Sequence, residues 1–510
     1  MSQRRVLGLG GATLVVSASI LVSRLLGVLR ETVLAATLGV STDGDVYRNA
    51  FVIPDFLNYL LAGGFLSITL IPVLARRFEA EQHQEGWQDF TAVFRTIGIA
   101  IVALTGVLML LAEPLVGLIF PRLAAGDVAT IVELTRVALP AQVFLVLGAL
   151  FMAVSYTHRR FLYPALAPVI YNLGIIGGGL LGAAVDEPSP HAFVWGAVGG
   201  AVVGNFALQW FGAKRAGLQW HRGGSRQAIR QYLVLALPLM IGQSITVLDE
   251  QFPRLFGQLA GDGGTSALTF ARMLNMLPVG LIAQAAGVAS FPFLARLAAR
   301  GEVTELADTT LKAARTAAVI GVGAAASLIA LAEPLVRLVY QWGAFTGDDS
   351  RLVSGLLLPF SLSIPAWAIH QVIGRWFYAN QLMWTPVVIG TTTTLAAVPL
   401  TLVATDRWGL TGIAGASSVV IWLYTIVLTV AWVKATNRRL GLDLIQSVLR
   451  SIPGGAAAAL AGLWVARSIG GDAPLTVVPA LIGGAVVVVS LFLLIGRAFR
   501  MPELARTRSV

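Results

Sequence analysis

The feature that most constrains this chain is its long, unbroken apolar runs. Each is close to the roughly 20 residues that a helix needs to cross about 30 Å of hydrocarbon. Fourteen are read between charge, Pro or Gly clusters, at 11–39, 47–75, 90–113, 128–155, 163–184, 190–212, 230–258, 266–295, 311–333, 350–376, 384–405, 410–433, 446–468 and 474–497. Outer-membrane strands alternate apolar and polar residues over about ten positions, a pattern these runs do not share. The charge content agrees: 12% of the 510 residues are charged and 56% are apolar, against about 25% charged in soluble domains. The chain therefore reads as an all-α polytopic membrane protein. With zero cysteines it is no disulfide scaffold. The first run continues past Arg24 and Arg30 without a small-residue cleavage site, and is read as a retained span rather than a signal peptide.

Orientation follows from the basic residues. With the N-terminus inside, 24 of the 36 Lys and Arg fall in inner segments and only Arg122, Arg136, Arg337, Arg351, Arg407 and Arg467 in outer ones. This bias predicts both termini in the cytoplasm, with the chain multi-pass in a bacterial inner membrane. It also accounts for the net charge of +10 as dispersed loop anchors, so no nucleic-acid partner is needed.

An internal repeat organises the spans. Ala112-Glu113-Pro114-Leu115-Val116 returns as Ala332-Glu333-Pro334-Leu335-Val336, and Pro72, Leu74, Ala75 and Arg76 return as Pro292, Leu294, Ala295 and Arg296. Both matches are displaced by 220 positions (112 to 332, 72 to 292). Six spans separate the copies, an even number, so the halves are expected to be parallel with a site between them. The expected division is 1–222, 223–440 and an appendix of two helices at 441–510.

Six basic residues fall within spans: Arg24, Arg30, Arg48, Arg95, Arg254 and Arg272, with Glu31, Asp45, Asp55, Asp249 and Glu250 as acidic companions. Each charge facing lipid at the midplane costs at least about 2.5 kcal/mol. All but Arg95 lie on spans 1, 2, 7 and 8, which predicts a hydrated cavity lined by guanidinium groups suited to a phosphate or diphosphate. Arg24, Arg30 and Arg272 are candidates for substrate contact. For Arg48 a helical pairing with Asp45 competes with that role, and Arg95 and Arg254 are expected to snorkel to the interface. The adjacent acids Asp249 and Glu250 read either as a Na⁺ or H⁺ coupling site or as partners of Arg24, Arg30 or Arg254. No phosphate-binding G-x-x-x-x-G-K-[ST] loop occurs, and the five His show no zinc-ligand spacing. His370 reads as a core residue, and no metal or bound cofactor is expected beyond a coupling cation.

Several motifs resemble one family. Ser23-Arg24-Leu25-Leu26-Gly27-Val28-Leu29-Arg30-Glu31 resembles the first-helix signature S-R-x-x-G-x-x-R-[DE] of the MurJ/MviN lipid II flippases. Asp45 before Pro54 is similar to that family's D-A-F…P-N stretch, and Arg160-Phe161-Leu162-Tyr163-Pro164-Ala165-Leu166-Ala167-Pro168, closing at Asn172, to its fourth-to-fifth-span connection. Tyr340-Gln341-Trp342-Gly343-Ala344-Phe345-Thr346, Phe377-Tyr378-Ala379-Asn380-Gln381 and Thr385-Pro386-Val387 resemble its second-half markers. The resemblance implies two six-helix lobes around a central cavity plus two C-terminal helices, the fold of the multidrug/oligosaccharidyl-lipid/polysaccharide exporters. It also implies translocation of lipid II, the undecaprenyl-diphosphate-linked disaccharide pentapeptide, in contact with membrane lipids and cell-wall synthesis machinery. Arg24, Arg30 and Asp45 match the family's cavity positions. The chain departs from the pattern at Asn58-Tyr59 and Gly63-Gly64, where basic residues and Glu-Gly are usual, and at Arg272, six rather than five residues before Pro278. Arg48 is the compensating candidate on span 2. The alternatives from the residues are a cation-coupled drug antiporter of the same fold, an exporter of another polyprenyl-linked saccharide, a membrane glycosyltransferase and a non-transporting scaffold.

Overall fold

A computed structural model describes residues 9–61, 65–185, 188–221, 226–282, 289–436, 440–499 and 501–504, with the side chains of 9–17, 60–61, 65–68, 235–250, 289–292 and 440 outside the description. The described residues are helical throughout, with no strand. In order they form α1 (Leu9–Leu38), α2 (Thr42–Ala50), α3 (Val52–Leu61), α4 (Phe65–Glu79), α5 (His83–Ile119), α6 (Ala125–Thr157), α7 (Leu162–Val185), α8 (Pro190–Gly200), a π segment (Ala201–Ala207), α9 (Leu208–Arg215) and α10 (Arg226–Gly257). They continue as α11 (Gly264–Ile282), α12 (Ala289–Ala299), α13 (Val303–Ala330), α14 (Ala332–Tyr340), α15 (Gly347–Ser361), α16 (Ile364–Ala379), α17 (Trp384–Thr436), α18 (Leu440–Ile469) and α19 (Val478–Ala498).

Every expected run falls on one of these helices or a short chain of them. Among the described residues nine helices are long and apolar enough to span, with α8, the π segment and α9 taken as one continuous helix, or ten with the bent pair α15–α16. α17 supplies two of the expected runs, because its 53 residues fold back at Gly409 (φ 57°, ψ −136°). At 1.5 Å per residue that length is about 80 Å, far beyond one crossing.

Contacts divide the chain into two compact units, one ending at Gln258 and the other beginning at Leu259. In the first, buried Trp87, Phe90, Leu139, Leu150 and Phe151 form one core, and Leu34, Tyr47, Phe51, Leu134 and Phe193 a second. α10 packs on α3, α4 and α5 within this unit. In the second unit the last two helices close on α13 through Val319, Ala326, Val488 and Phe492.

The repeat seen in the sequence recurs as backbone geometry. The α4–α5 and α12–α13 turns place Glu81 (φ 60°) and Gly301 (φ 70°) in the left-handed region, with Gln82 N–H donating to Arg77 O and Glu302 N–H to Leu297 O. The α6–α7 and α16–α17 turns do the same with Arg159 (φ 56°) and Gln381 (φ 60°), closed by Arg160 N–H to Ser155 O and Leu382 N–H to Phe377 O. This is the helix-ending loop in which a left-handed residue satisfies the last carbonyls, normally given to Gly. Its use of Glu, Arg and Gln shows how firmly the surrounding packing holds the bend.

Close helix packing explains part of the glycine content. A Cβ on Gly148 of α6 would come within 1.7 Å of the Asn205 carbonyl oxygen, and one on Gly178 within 2.5 Å of the Ala192 carbonyl oxygen. Neighbouring Gly177 and Gly199 have nothing within 4 Å, so the glycine runs are packing sites only in part.

Candidate functional site

The site grows from a helix that, on composition, belongs at the surface. α2 reads Thr-Asp-Gly-Asp-Val-Tyr-Arg-Asn-Ala, yet Gly44 through Ala50 are all buried. It starts where the Ser41 hydroxyl accepts from Gly44 N–H (3.2 Å), with Asp43 and Asp45 in the first turn. It ends at Phe51, whose N–H reaches Arg48 O, and α3 continues from Val52, so the second span is broken at its entrance.

A buried helix carrying Asp45 and Arg48 is tolerable only if the charges are paired. Arg48 extends to α1, where its guanidinium donates to Glu31 Oε2 at 3.0 Å, both side chains 5% exposed. The other oxygen of Glu31 accepts from Arg30, at 2.7 Å and 3.2 Å. Arg30 also donates to Asn172 Oδ1 of α7 (3.2 Å), while the Asn172 amide donates to Pro168 O (2.9 Å). One carboxylate thus holds two guanidiniums from two helices, and a third helix orients the first of them. The trio carries a surplus positive charge, with Arg30 still 28% exposed.

Six residues earlier on α1, about 9 Å along the axis, Arg24 is exposed and lines a cavity of about 380 Å³. Its walls are Ser19, Ile20 and Ser23 of α1, Pro164, Ala165 and Pro168 of α7, and Tyr156 and Phe161 at the α6–α7 turn. Among the described residues no carboxylate forms an ion pair with Arg24. The groove between α1 and α7 therefore offers the Arg24 guanidinium, and Arg30, anchored beyond its walls on the same helix, stays partly exposed.

The remaining expectations divide. Asp45 is buried on α2. Arg254, expected to snorkel, instead bonds Asp55 of α3 at 2.6 Å and Gln251 at 3.1 Å, because α10 packs on α3 and brings two half-buried opposite charges together. Arg95 is exposed on α5. Arg272 is half-buried on α11 in the second unit, beside half-buried Met273. Asp249 and Glu250 lie on α10, and their side chains are outside the described residues. Sequence reasoning named Glu31 and Asn172 without seeing that they organise the arginines. The only available signal was that Glu31 adjoins Arg30 in the first-helix motif, since Asn172 is 142 positions away.

A bundle of spanning helices with a cationic groove in one unit defines a membrane transporter of the multidrug-exporter fold. A solved inward-facing multidrug resistance MATE family transporter of the MOP superfamily shares that fold with TM-score 0.67 and 17% identity, covering 81% of this chain and 94% of that one. A solved lipid II flippase MurJ in an inward closed conformation matches with TM-score 0.78 and 21% identity over 96% of this chain and all of that one. The family profile described as lipid II flippase MurJ matches residues 34–475, so the chain belongs to that family. Among curated relatives, a probable lipid II flippase MurJ of Rhizobium meliloti is 26% identical over 92% of this chain and 88% of its own length. The lipid II flippase MurJ of Burkholderia cenocepacia is 26% identical over 74% and 75%.

Proposed function

We propose that this chain is a lipid II flippase, a transporter and not an enzyme, that carries undecaprenyl-diphosphate-linked disaccharide pentapeptide from the inner to the outer leaflet by alternating access. The observation that carries the reading is the groove in which Arg24 stands exposed, with Arg30 further along the same helix aimed by Glu31 and Asn172. A diphosphate offers paired anionic oxygens, and a guanidinium matches them with parallel donors. Arg24, Arg30 and Arg272 contact the diphosphate, and Asp45 and Arg48 shape the wall behind them. The repeat supports lobes at 1–222 and 223–440, with 441–510 lying beside the prenyl tail. Both termini are cytoplasmic on the distribution of Lys and Arg. Cell-wall synthesis enzymes receive the product.

The driving force is the membrane potential, worth about 2.3 kcal/mol per charge per 100 mV, or a Na⁺ or H⁺ gradient coupled through Asp249 and Glu250. A cation-coupled drug antiporter shares the fold, but its cargo calls for an acidic groove, opposite in sign to the one around Arg24. Complementation tests the proposal. The chain should rescue cells depleted of their own lipid II flippase, while Arg24→Ala and Arg30→Ala insert normally and fail to rescue. Full rescue by either variant refutes the clamp, and no rescue by the parent chain refutes the cargo.

A further inference from the structure

Arg159 and Arg160 stand at the turn between α6 and α7, and Lys214 and Arg215 at the end of α9, a helix that packs on both α6 and α7. Arg215 donates to the Tyr163 hydroxyl at 3.1 Å and lies over the Phe211 ring at 4.4 Å, while Lys214 sits 5.4 Å from the Trp210 ring centroid. Gly212 allows this approach, since a Cβ there would meet the Tyr163 ring at 2.8 Å. Trp210 and Phe211 are 41% and 42% exposed, an aromatic platform at the end of a spanning segment.

Some basic groups in this unit are neutralised in place, Arg77 by Glu85 and Asp89 and Arg254 by Asp55. Among the described residues no carboxylate pairs with Arg159, Arg160, Lys214 or Arg215. The surplus charge is felt next door, at His158. Burial pushes its imidazole below the ordinary range against the pull of the Val154 carbonyl, and the charge of Arg160 pushes the same way. The matching turn of the second unit has the same left-handed bend but reads Asn380-Gln381-Leu382, with no charge. The fold therefore does not require arginines at this turn.

We propose that this corner is a binding site for the phosphate of an anionic membrane lipid. Arg159, Arg160, Lys214 and Arg215 surround the headgroup, Tyr163 holds Arg215 in place, and the acyl chains lie along Trp210 and Phe211. An aromatic face backs each of the two cations of α9, so both reach the headgroup without leaving the interface. The corner shares the α6–α7 turn with the groove, whose walls include Tyr156, Phe161 and Pro164, but none of its four cations lines that groove and the reading does not depend on what the cargo is.

The test uses the full-length protein in detergent with added phosphatidylglycerol or phosphatidylcholine, read by thermal melts and by native mass spectrometry. Phosphatidylglycerol should raise the melting temperature and remain bound, and phosphatidylcholine should do neither. Lys214→Gln with Arg215→Gln should weaken phosphatidylglycerol binding roughly thirtyfold, at about fivefold per surface cation removed. Arg159→Gln with Arg160→Gln should behave alike, so a pair that fails to fold leaves the other as the test. Neutralising exposed Arg450 and Arg497 on α18 and α19 should leave binding intact. Unchanged binding in the corner variants, or an equal loss with Arg450 and Arg497, overturns the site in favour of diffuse attraction. A shift of equal size from soluble glycerol phosphate overturns the lipid as its occupant.

Discussion

Replacing Glu31 with Gln isolates the charge arrangement on which the groove depends. Glu31 is bonded to Arg48 at 3.0 Å and Arg30 at 2.7 Å, and neither Glu31 nor Arg48 has more than 5% of its side chain exposed. Removing one partner of a buried pair leaves the other charge desolvated, which costs about 3–5 kcal/mol. Here two guanidiniums would also face one another across a neutral amide. Glu31→Gln should therefore fall within that range, while Glu31→Gln with Arg48→Met removes the cation that lost Glu31 and should recover part of the loss. The assay is reversible unfolding of the purified protein by dodecyl sulfate titration, run as a double-mutant cycle. A Glu31→Gln variant within about 0.5 kcal/mol of the parent, or a double variant no more stable than the sum of the single losses, would show that Arg48 is not held by Glu31.

Other consequences follow from the same structure. Gly148→Ala drives a methyl into the Asn205 carbonyl and should destabilise by about 1–3 kcal/mol or more, measured by the same titration. Asp55→Asn removes the charge facing Arg254 and should cost about 1.5–3 kcal/mol, with Asp55→Glu recovering part of it. A half-buried His158, whose imidazole is held below its ordinary range by desolvation, makes stability pH-dependent. Since its folded-state pKa lies below the ordinary 6.5, protonation favours the unfolded chain, so melting temperature should fall as pH drops below 6.5. His158→Gln should flatten that fall, whereas an unchanged slope would assign it to other groups.

Much of the architecture was readable because apolar run length acts locally. Gly409 marks where α17 turns back, and the reading placed a boundary between 405 and 410. The opening of span 2 was read as beginning at 47 whereas α2 starts at Thr42, because a polar Asp-Gly-Asp opening, of which Gly44 and Asp45 are buried, cannot be told from a loop without the packing of the helix that follows it. Arg254 was misassigned for the same reason: Asp55 lies 199 positions away and only the packing of α10 on α3 joins them. In the groove, Arg24 and Arg30 were legible from their spacing on one helix. What orients Arg30 was not, since Asn172 reads as an ordinary helix residue until α7 lies against α1.

The paired turns bear on how such a molecule comes to exist. A curve held by glycine in one copy and by glutamate in the other, at Gly301 and Glu81, is simpler to inherit than to arrive at twice. Duplication of an ancestral half would leave this mark, with main-chain bends preserved while side chains drift into separate trades. One copy of a joint can then become cationic, as at Arg159, while its twin at Gln381 stays neutral, and a molecule built from like halves acquires a difference between them.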